Sequence, residues 1–306
     1  MKSPDLYSTP IVFFGTDAFS VPSLVRLIAE GWNVIAVVTK PDSSTGRGQH
    51  LTQPAVKRLA LAKSIPVFQP HHLEDIVADL RKLKAEIGIV VAYGKVIPPS
   101  MLQLFPKRLI NVHASLLPRY RGASPIESAI LNGDEETGVT LMQIEEGLDT
   151  GPTYDISKLQ LDGTENREGL YVRLAELGAD LLDIRLPSIL RDEVVPIPQD
   201  EIEAVTVGRI QKSDGFIDWA KPATVIEREI RAYFGWPGSR TTIAGVDVTI
   251  TSAHVDHLSG PSGSAVKTPD GELAVYAGTG CLIIDQLKPA GKREMSSRDF
   301  LAGHTI

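Results

Sequence analysis

The sequence predicts an α/β protein, with a doubly wound, mostly parallel sheet followed by a smaller β-barrel. Three features predict this. Short, wholly apolar runs alternate with amphipathic stretches over residues 1–190, the signature of βαβ units in which helices cover both faces of the sheet. A polar, acidic, proline-containing stretch, Arg191–Ala204, then reads as a linker. Beyond it, short β-type runs alternate with Gly and Pro. The 306 residues, 42% of them hydrophobic and 23% charged, suit two globular domains rather than a disordered chain. The expected division is 1–190, a linker 191–210, and 211–306.

Ile11–Phe14 is a buried strand ending at Gly15. Residues 20–30 place Leu24, Leu27 and Ile28 at helical spacing, with Ser20 as candidate N-cap, Pro22 in the first turn and Gly31 as the stop. Val34–Val38 is the second apolar strand. A helix is expected over 53–63, a short strand at Val67–Phe68, and a helix over 73–84 with Leu73, Ile76, Val77 and Leu80 on one stripe. Strands follow at Ile87–Ala92 and Leu109–His113, a helix at 125–132, a strand at Val139–Ile144 and a long amphipathic helix over 168–190. The second part begins with a helix at about 222–233. Its β-runs fall at 241–243, 246–250, 264–267, 272–276 and 281–287. Trp219 and Trp236 read as packing anchors, and Cys281 as a small buried apolar residue.

Several function classes lose support at once. One cysteine allows neither a disulfide framework nor a zinc-cysteine cluster, and His71-His72 lacks a second ligand pair, so no metal is expected. No apolar run approaches the ~18 residues of a membrane span, and MKSPDLYSTP has no signal-peptide pattern, so a soluble cytoplasmic protein is expected. Gly15-Thr16-Asp17-Ala18-Phe19-Ser20 follows the first strand but is not GxGxxG, and phosphate-loop, zincin and serine-hydrolase motifs are absent.

What remains is a polar segment at a strand end, Asn111-Val112-His113-Ala114-Ser115-Leu116-Leu117-Pro118-Arg119-Tyr120-Arg121-Gly122. Alternation puts Asn111 and His113 on one face, at the carboxyl end of a strand where open α/β sheets hold ligands. An amide donor beside an imidazole suits a developing oxyanion. On spacing alone, a satisfied buried histidine and a turn asparagine explain the pair equally well. Asp149, in a glycine-rich loop after another strand, is a candidate partner that would favour charged His113 and help move protons. An Asp fixing its own turn is the plainer reading, and the loop context alone favours it.

The segments Asn111–Ile126 and Gly147-Leu148-Asp149-Thr150-Gly151 resemble the formyltransferase family that uses 10-formyltetrahydrofolate. Val90–Gly94, Lys40-Pro41-Asp42, Gly46-Arg47-Gly48, Phe14–Thr16 and Leu287–Arg293 extend the resemblance over nearly the whole chain. It implies a Rossmann-like catalytic domain and an OB-like C-terminal barrel that binds tRNA. It also implies a formyl transfer from 10-formyltetrahydrofolate to the α-amino group of methionyl initiator tRNA, by a monomer. By motif position the catalytic trio is Asn111, His113 and Asp149, the folate contacts are Ser115, Leu116, Leu117 and Pro118, and the substrate-loop arginine is Arg47.

Charge alone argues mildly against a nucleic-acid partner. The net formal charge is −7, and residues 211–306 hold 10 Lys/Arg against 11 Asp/Glu. Locally, Lys40, Arg47, Lys57 and Arg58 outnumber Asp42, and Lys288, Lys292, Arg293 and Arg298 cluster near the C-terminus. The loop Ser43–Gln49 is too polar and glycine-rich to pack as core, and could order around an acceptor stem with Arg47 on phosphate or a base edge. Arg119, Tyr120 and Arg121 either touch substrate or shape the crevice. Rival readings are a formyltransferase acting on a sugar amine or other small amine, the hydrolase-like domain of a folate dehydrogenase, and a noncatalytic RNA-binding protein. The last leaves the Asn111, His113 and Asp149 constellation without a purpose.

Overall fold

A computed structural model describes residues 4–45 and 50–306. Two compact units emerge, one of residues 1–122, 137–159 and 171–206, the other of 123–136, 160–170 and 207–306.

The first unit is built on a seven-stranded sheet. Its strands are β1 (Ile11–Gly15), β2 (Val34–Val38), β3 (Val67–Phe68), β4 (Ile87–Val91), β5 (Leu109–His113), β6 (Glu136–Gln143) and β7 (Thr153–Gln160), in spatial order β7-β6-β5-β4-β1-β2-β3. The pairs β1–β2, β1–β4, β2–β3 and β4–β5 are parallel, while β5–β6 is antiparallel. Every residue of β1 and β4 is buried, as strands covered on both faces require. On one face, Val12, Phe14, Val38 and Val90 pack with Leu73, Leu80, Met101 and Phe105.

The helices follow the apolar periodicity closely: α1 (Ser20–Ala29), α2 (Ala55–Ala62), α3 (Val77–Leu83), α4 (Pro125–Asn132) and α5 (Arg167–Leu190). The start of the 73–84 segment is a 3₁₀ turn, Leu73–Ile76. Ser20 does not cap α1. The cap position is Phe19, and the buried Ser20 hydroxyl donates instead to the Val91 carbonyl at 2.7 Å. A strand the sequence reading lacks, β7, lies at the sheet edge. Its half-exposed alternation of polar and apolar residues carries no continuous apolar run. Gly178 of α5 lets the helix press on β5, since a Cβ there would stand 2.7 Å from Val112 Cγ1. Val112 thus faces the helix while its neighbours Asn111 and His113 face away from it.

The second unit contains α6 (Ala223–Ala232), β8 (Ser239–Ile243), β9 (Val246–Asp256), β10 (Ala265–Lys267), β11 (Leu273–Tyr276), β12 (Cys281–Pro289) and α7 (Ser297–Gly303). Its antiparallel sheet runs β8-β9-β12-β11-β10, with Met295–Ser296 added to β12. Ile226, Ile230, Val248, Ile250, Leu282, Leu287 and Phe300 fill its core. Trp219 packs against that core and Cys281 is fully buried, whereas Trp236 is 52% exposed. No described helix is long and apolar enough to cross a membrane.

Candidate active site

The carboxyl end of β5 brings the polar segment to the surface of the sheet. In register, Asn111 lies between Val90 of β4 and Met142 of β6, and His113 lies opposite Thr140. Asn111 is half-buried, and among the described residues its carboxamide has no hydrogen-bond partner. His113 is buried, and its Nε2 donates to the Tyr120 carbonyl at 3.0 Å. A carbonyl only accepts, so Nε2 carries the proton and Nδ1 is the position at which a second proton is gained or lost. Nδ1 stands 3.7 Å from Asp149 Oδ2. That is ion-pair range rather than a hydrogen bond. The loop context alone favoured an Asp fixing its own turn and only the family resemblance implied the pair, which the fold brings together across 36 residues of chain.

Asp149 sits on the loop between β6 and β7 with φ +53°, a left-handed backbone that aspartate tolerates better than most residues. Its Oδ2 accepts the Gly122 N–H at 2.9 Å. The loop has little freedom, because a Cβ on Gly151 would stand 1.9 Å from the Gln143 carbonyl oxygen.

The turn after His113 is held from within. Thr140 Oγ donates to the Ser115 carbonyl at 2.6 Å and accepts from the Leu117 N–H at 3.1 Å. The Ser115 hydroxyl donates to the Arg119 carbonyl at 2.6 Å. The Leu117–Pro118 peptide is cis, Tyr120 has φ +60°, and the Tyr120 carbonyl meets His113. Of the four residues expected to touch folate, Ser115 and Leu117 are buried and engaged inward, whereas Leu116 and Pro118 are half-buried and present apolar surface. Arg47 lies outside the described residues.

Arg121 is 4% exposed and does not face solvent as a substrate contact would. Its guanidinium forks onto Glu201 at 2.8 and 2.9 Å and onto Gln199 Oε1 at 2.9 and 3.0 Å. The hydrogen bond from Arg121 holds the Glu201 carboxyl below its usual range, and Glu201 in turn raises Arg121. Tyr120, offered by the sequence as shaping the crevice, meets His113 through its carbonyl, whereas Thr140 and Gln199 are site-shaping groups that the sequence reading lacks. Only Thr140 left a trace there, as a polar residue inside an apolar strand. Among the described residues no cluster of three or more His, Cys, Asp or Glu could hold a metal ion.

Comparisons with known proteins identify the relatives of this chain. Residues 9–185 match the family described as Formyl transferase, and residues 209–305 match Formyl transferase, C-terminal domain. A protein of Myxococcus xanthus named Methionyl-tRNA formyltransferase is 42% identical over 299 residues, covering 97% of this chain and 95% of its own. Among solved structures, an N-formyltransferase from Helicobacter canadensis in complex with folinic acid and dTDP-3-aminofucose superposes with a TM-score of 0.69 at 20% identity, over 90% of this chain and 99% of that one. HypX from Aquifex aeolicus in complex with tetrahydrofolic acid superposes with a TM-score of 0.65 at 17% identity, over 95% of this chain. The chain spans 46% of HypX's length. At those identities the two structures speak for the fold alone. The extent of the family matches and the identity to the Myxococcus protein settle the rest: this chain belongs to the formyl transferase family.

Proposed function

We propose that the chain transfers a formyl group from 10-formyltetrahydrofolate to the α-amino group of methionyl initiator tRNA. The observation that carries this reading is the 42% identity to a protein named Methionyl-tRNA formyltransferase, sustained over 97% of the chain and therefore over both matched regions. The donor is supported by the folate compounds named with two structures of the same fold. The residues present fit such a donor. Leu116 and Pro118 offer half-buried apolar surface just past Asn111 and His113, which suits a flat heterocycle placed with its polar rim toward the amide and imidazole. When bound, the folate supplies the formyl carbon.

The roles of the side chains follow from their geometry. Asn111, with its amide uncommitted, donates to the formyl oxygen as negative charge develops there. His113, with Nε2–H tied to Tyr120, can take or give a proton only at Nδ1, which stands 3.7 Å from Asp149 Oδ2. A preorganised donor of this kind is worth about 3 kcal/mol. The attacking α-amine has a pKa near 8 and is mostly protonated at neutral pH, so a proton must leave before it attacks. Asp149 is 18% exposed and can receive that proton through water. Arg47 would contact the tRNA. The protein would act as a monomer in the cytoplasm.

The test is formyl transfer from 10-formyltetrahydrofolate to charged initiator tRNA, run beside free small amines and amino sugars. Turnover on the tRNA is expected to dominate, and His113→Ala is expected to lower it at least about a hundredfold with the fold intact. Turnover confined to a small amine would overturn the acceptor. Near-normal turnover of the His113 variant would remove the imidazole from the chemistry.

A further inference from the structure

The stretch that the sequence presents as a linker is fastened to the first unit on both sides of Gln199. Upstream, Ile197 and Thr153 exchange two backbone hydrogen bonds of 2.8 Å. Downstream, the Val205 N–H donates to the Pro118 carbonyl at 3.2 Å, and the Arg121 N–H donates to the Val205 carbonyl at 2.8 Å. The upstream anchor opens β7 just past the Asp149 loop, and the downstream one lies in the segment that follows His113.

Between them, Gln199 uses all of its hydrogen-bonding capacity. Its Nε2 donates to the carbonyl of Asp149 at 2.8 Å and to that of Gly151 at 2.7 Å. Its Oε1 accepts from Arg121 Nε at 3.0 Å and from Nη2 at 2.9 Å. Two amide hydrogens and two lone pairs are all an amide has. The orientation is therefore determined, since a flipped amide would oppose NH₂ to the guanidinium and oxygen to two carbonyls. Arg121 is in turn buried and locked by the two oxygens of Glu201.

Asp149 needs such a hold. Its left-handed backbone is a sparsely populated state, of the kind that persists only where its surroundings over-determine it. Gln199 grips the main chain of Asp149, while the Gly122 N–H grips its carboxylate at 2.9 Å. The two grips come from Gln199, clamped by Arg121, and from Gly122, the next residue along. Together they set the distance from Asp149 Oδ2 to His113 Nδ1.

We propose that Gln199 is a positioning residue for formyl transfer. It holds the Asp149 backbone in the one geometry from which the carboxylate addresses His113, and Arg121 with Glu201 fixes Gln199. It touches no substrate. The inference rests on the reading of Asp149 as part of the catalytic trio. A misplacement of about 1 Å at such a group costs up to about a hundredfold in rate.

The experiment is a four-member kinetic cycle of the full chain: wild type, Gln199→Leu, Asp149→Asn and the double variant, with folate donor and charged initiator tRNA. Gln199→Leu is expected to lower kcat roughly tenfold to a hundredfold while KM for both substrates stays within about twofold. In the Asp149→Asn background the same change should lower kcat less than about twofold, because the group it positions no longer acts. Gln199→Glu, of nearly the same size, keeps an acceptor for Arg121 but presents oxygen to two carbonyls. It should lose as much kcat as the leucine variant, and it serves if that variant fails to fold. Thermal unfolding checks the fold of each protein. A kcat within about twofold of wild type for Gln199→Leu overturns the inference, as does an equal loss in both backgrounds, which marks a merely structural role. If Asp149→Asn alone retains normal kcat, the reading of the trio itself fails, and that result is separable from the other two.

Discussion

The isosteric change Asp149→Asn removes one charge and little else. The asparagine carbonyl can still accept the Gly122 N–H, so the 2.9 Å bond that seats the side chain survives. What disappears is the attraction between the carboxylate and an imidazolium proton at Nδ1, 3.7 Å away. At that distance Coulomb's law gives about 1 kcal/mol under full water screening and about 4.5 kcal/mol at an effective dielectric of about 20. The side chains are 7% and 18% exposed, which places the pair between those limits. With 1.4 kcal/mol per factor of ten, a value midway corresponds to roughly a hundredfold loss of kcat. The assay is steady-state formyl transfer to charged initiator tRNA with both substrates saturating, beside thermal unfolding of the same preparation. Tm is expected to fall by no more than about 10 °C, since the change breaks no core contact and each kcal/mol lost shifts Tm by about 2–4 °C at this size. A kcat within about threefold of wild type, in a variant that remains folded, would refute the claim that the Asp149 charge acts on His113.

Two further outcomes follow from groups outside the trio. Hydrogen bonds from Gln69 and Lys57 hold the Asp42 carboxyl below its ordinary range, so its stabilising effect is present above about pH 4 and is lost as the pH falls through its depressed value in the folded state. Asp42→Asn should therefore lower Tm at neutral pH, with the gap to wild type closing in acid. A gap that is constant down to about pH 3 would exclude the charge as its cause. Cys281 is fully buried in β12, and burial pushes its thiol up. Thiol reagents at mildly alkaline pH should label it at least about a hundredfold more slowly in the native protein than in denaturant, and equal rates would show that this strand is open in solution.

The strand that carries Asn111 and His113 was legible because burial on both faces demands continuous apolar residues, and the two polar side chains interrupt such a run at a spacing of two. Their shared face followed from strand alternation alone. The edge strand β7 was not legible, since one exposed face leaves it a mixed pattern that a loop can equally show. Ser20 misled for a related reason. A serine ahead of an apolar helical stripe has the composition of a cap, yet here its hydroxyl meets Val91, 71 residues along the chain.

Sequence by itself determined the alternation of apolar strands and amphipathic helices, the change of texture past residue 204, and the identity of the residues gathered at the end of β5. Those properties are local, set by side-chain polarity against a fixed backbone period. Only the tertiary structure decided which ring nitrogen of His113 carries its proton, how near Asp149 comes, and that a polar stretch resembling a tether is tied down at Gln199, 50 residues from the aspartate whose carbonyl it holds. Such bonds depend on distances between chain segments that no local pattern encodes. A glutamine amide in solution and one saturated by two carbonyls and a guanidinium are the same letter in the sequence, and only the folded backbone distinguishes them.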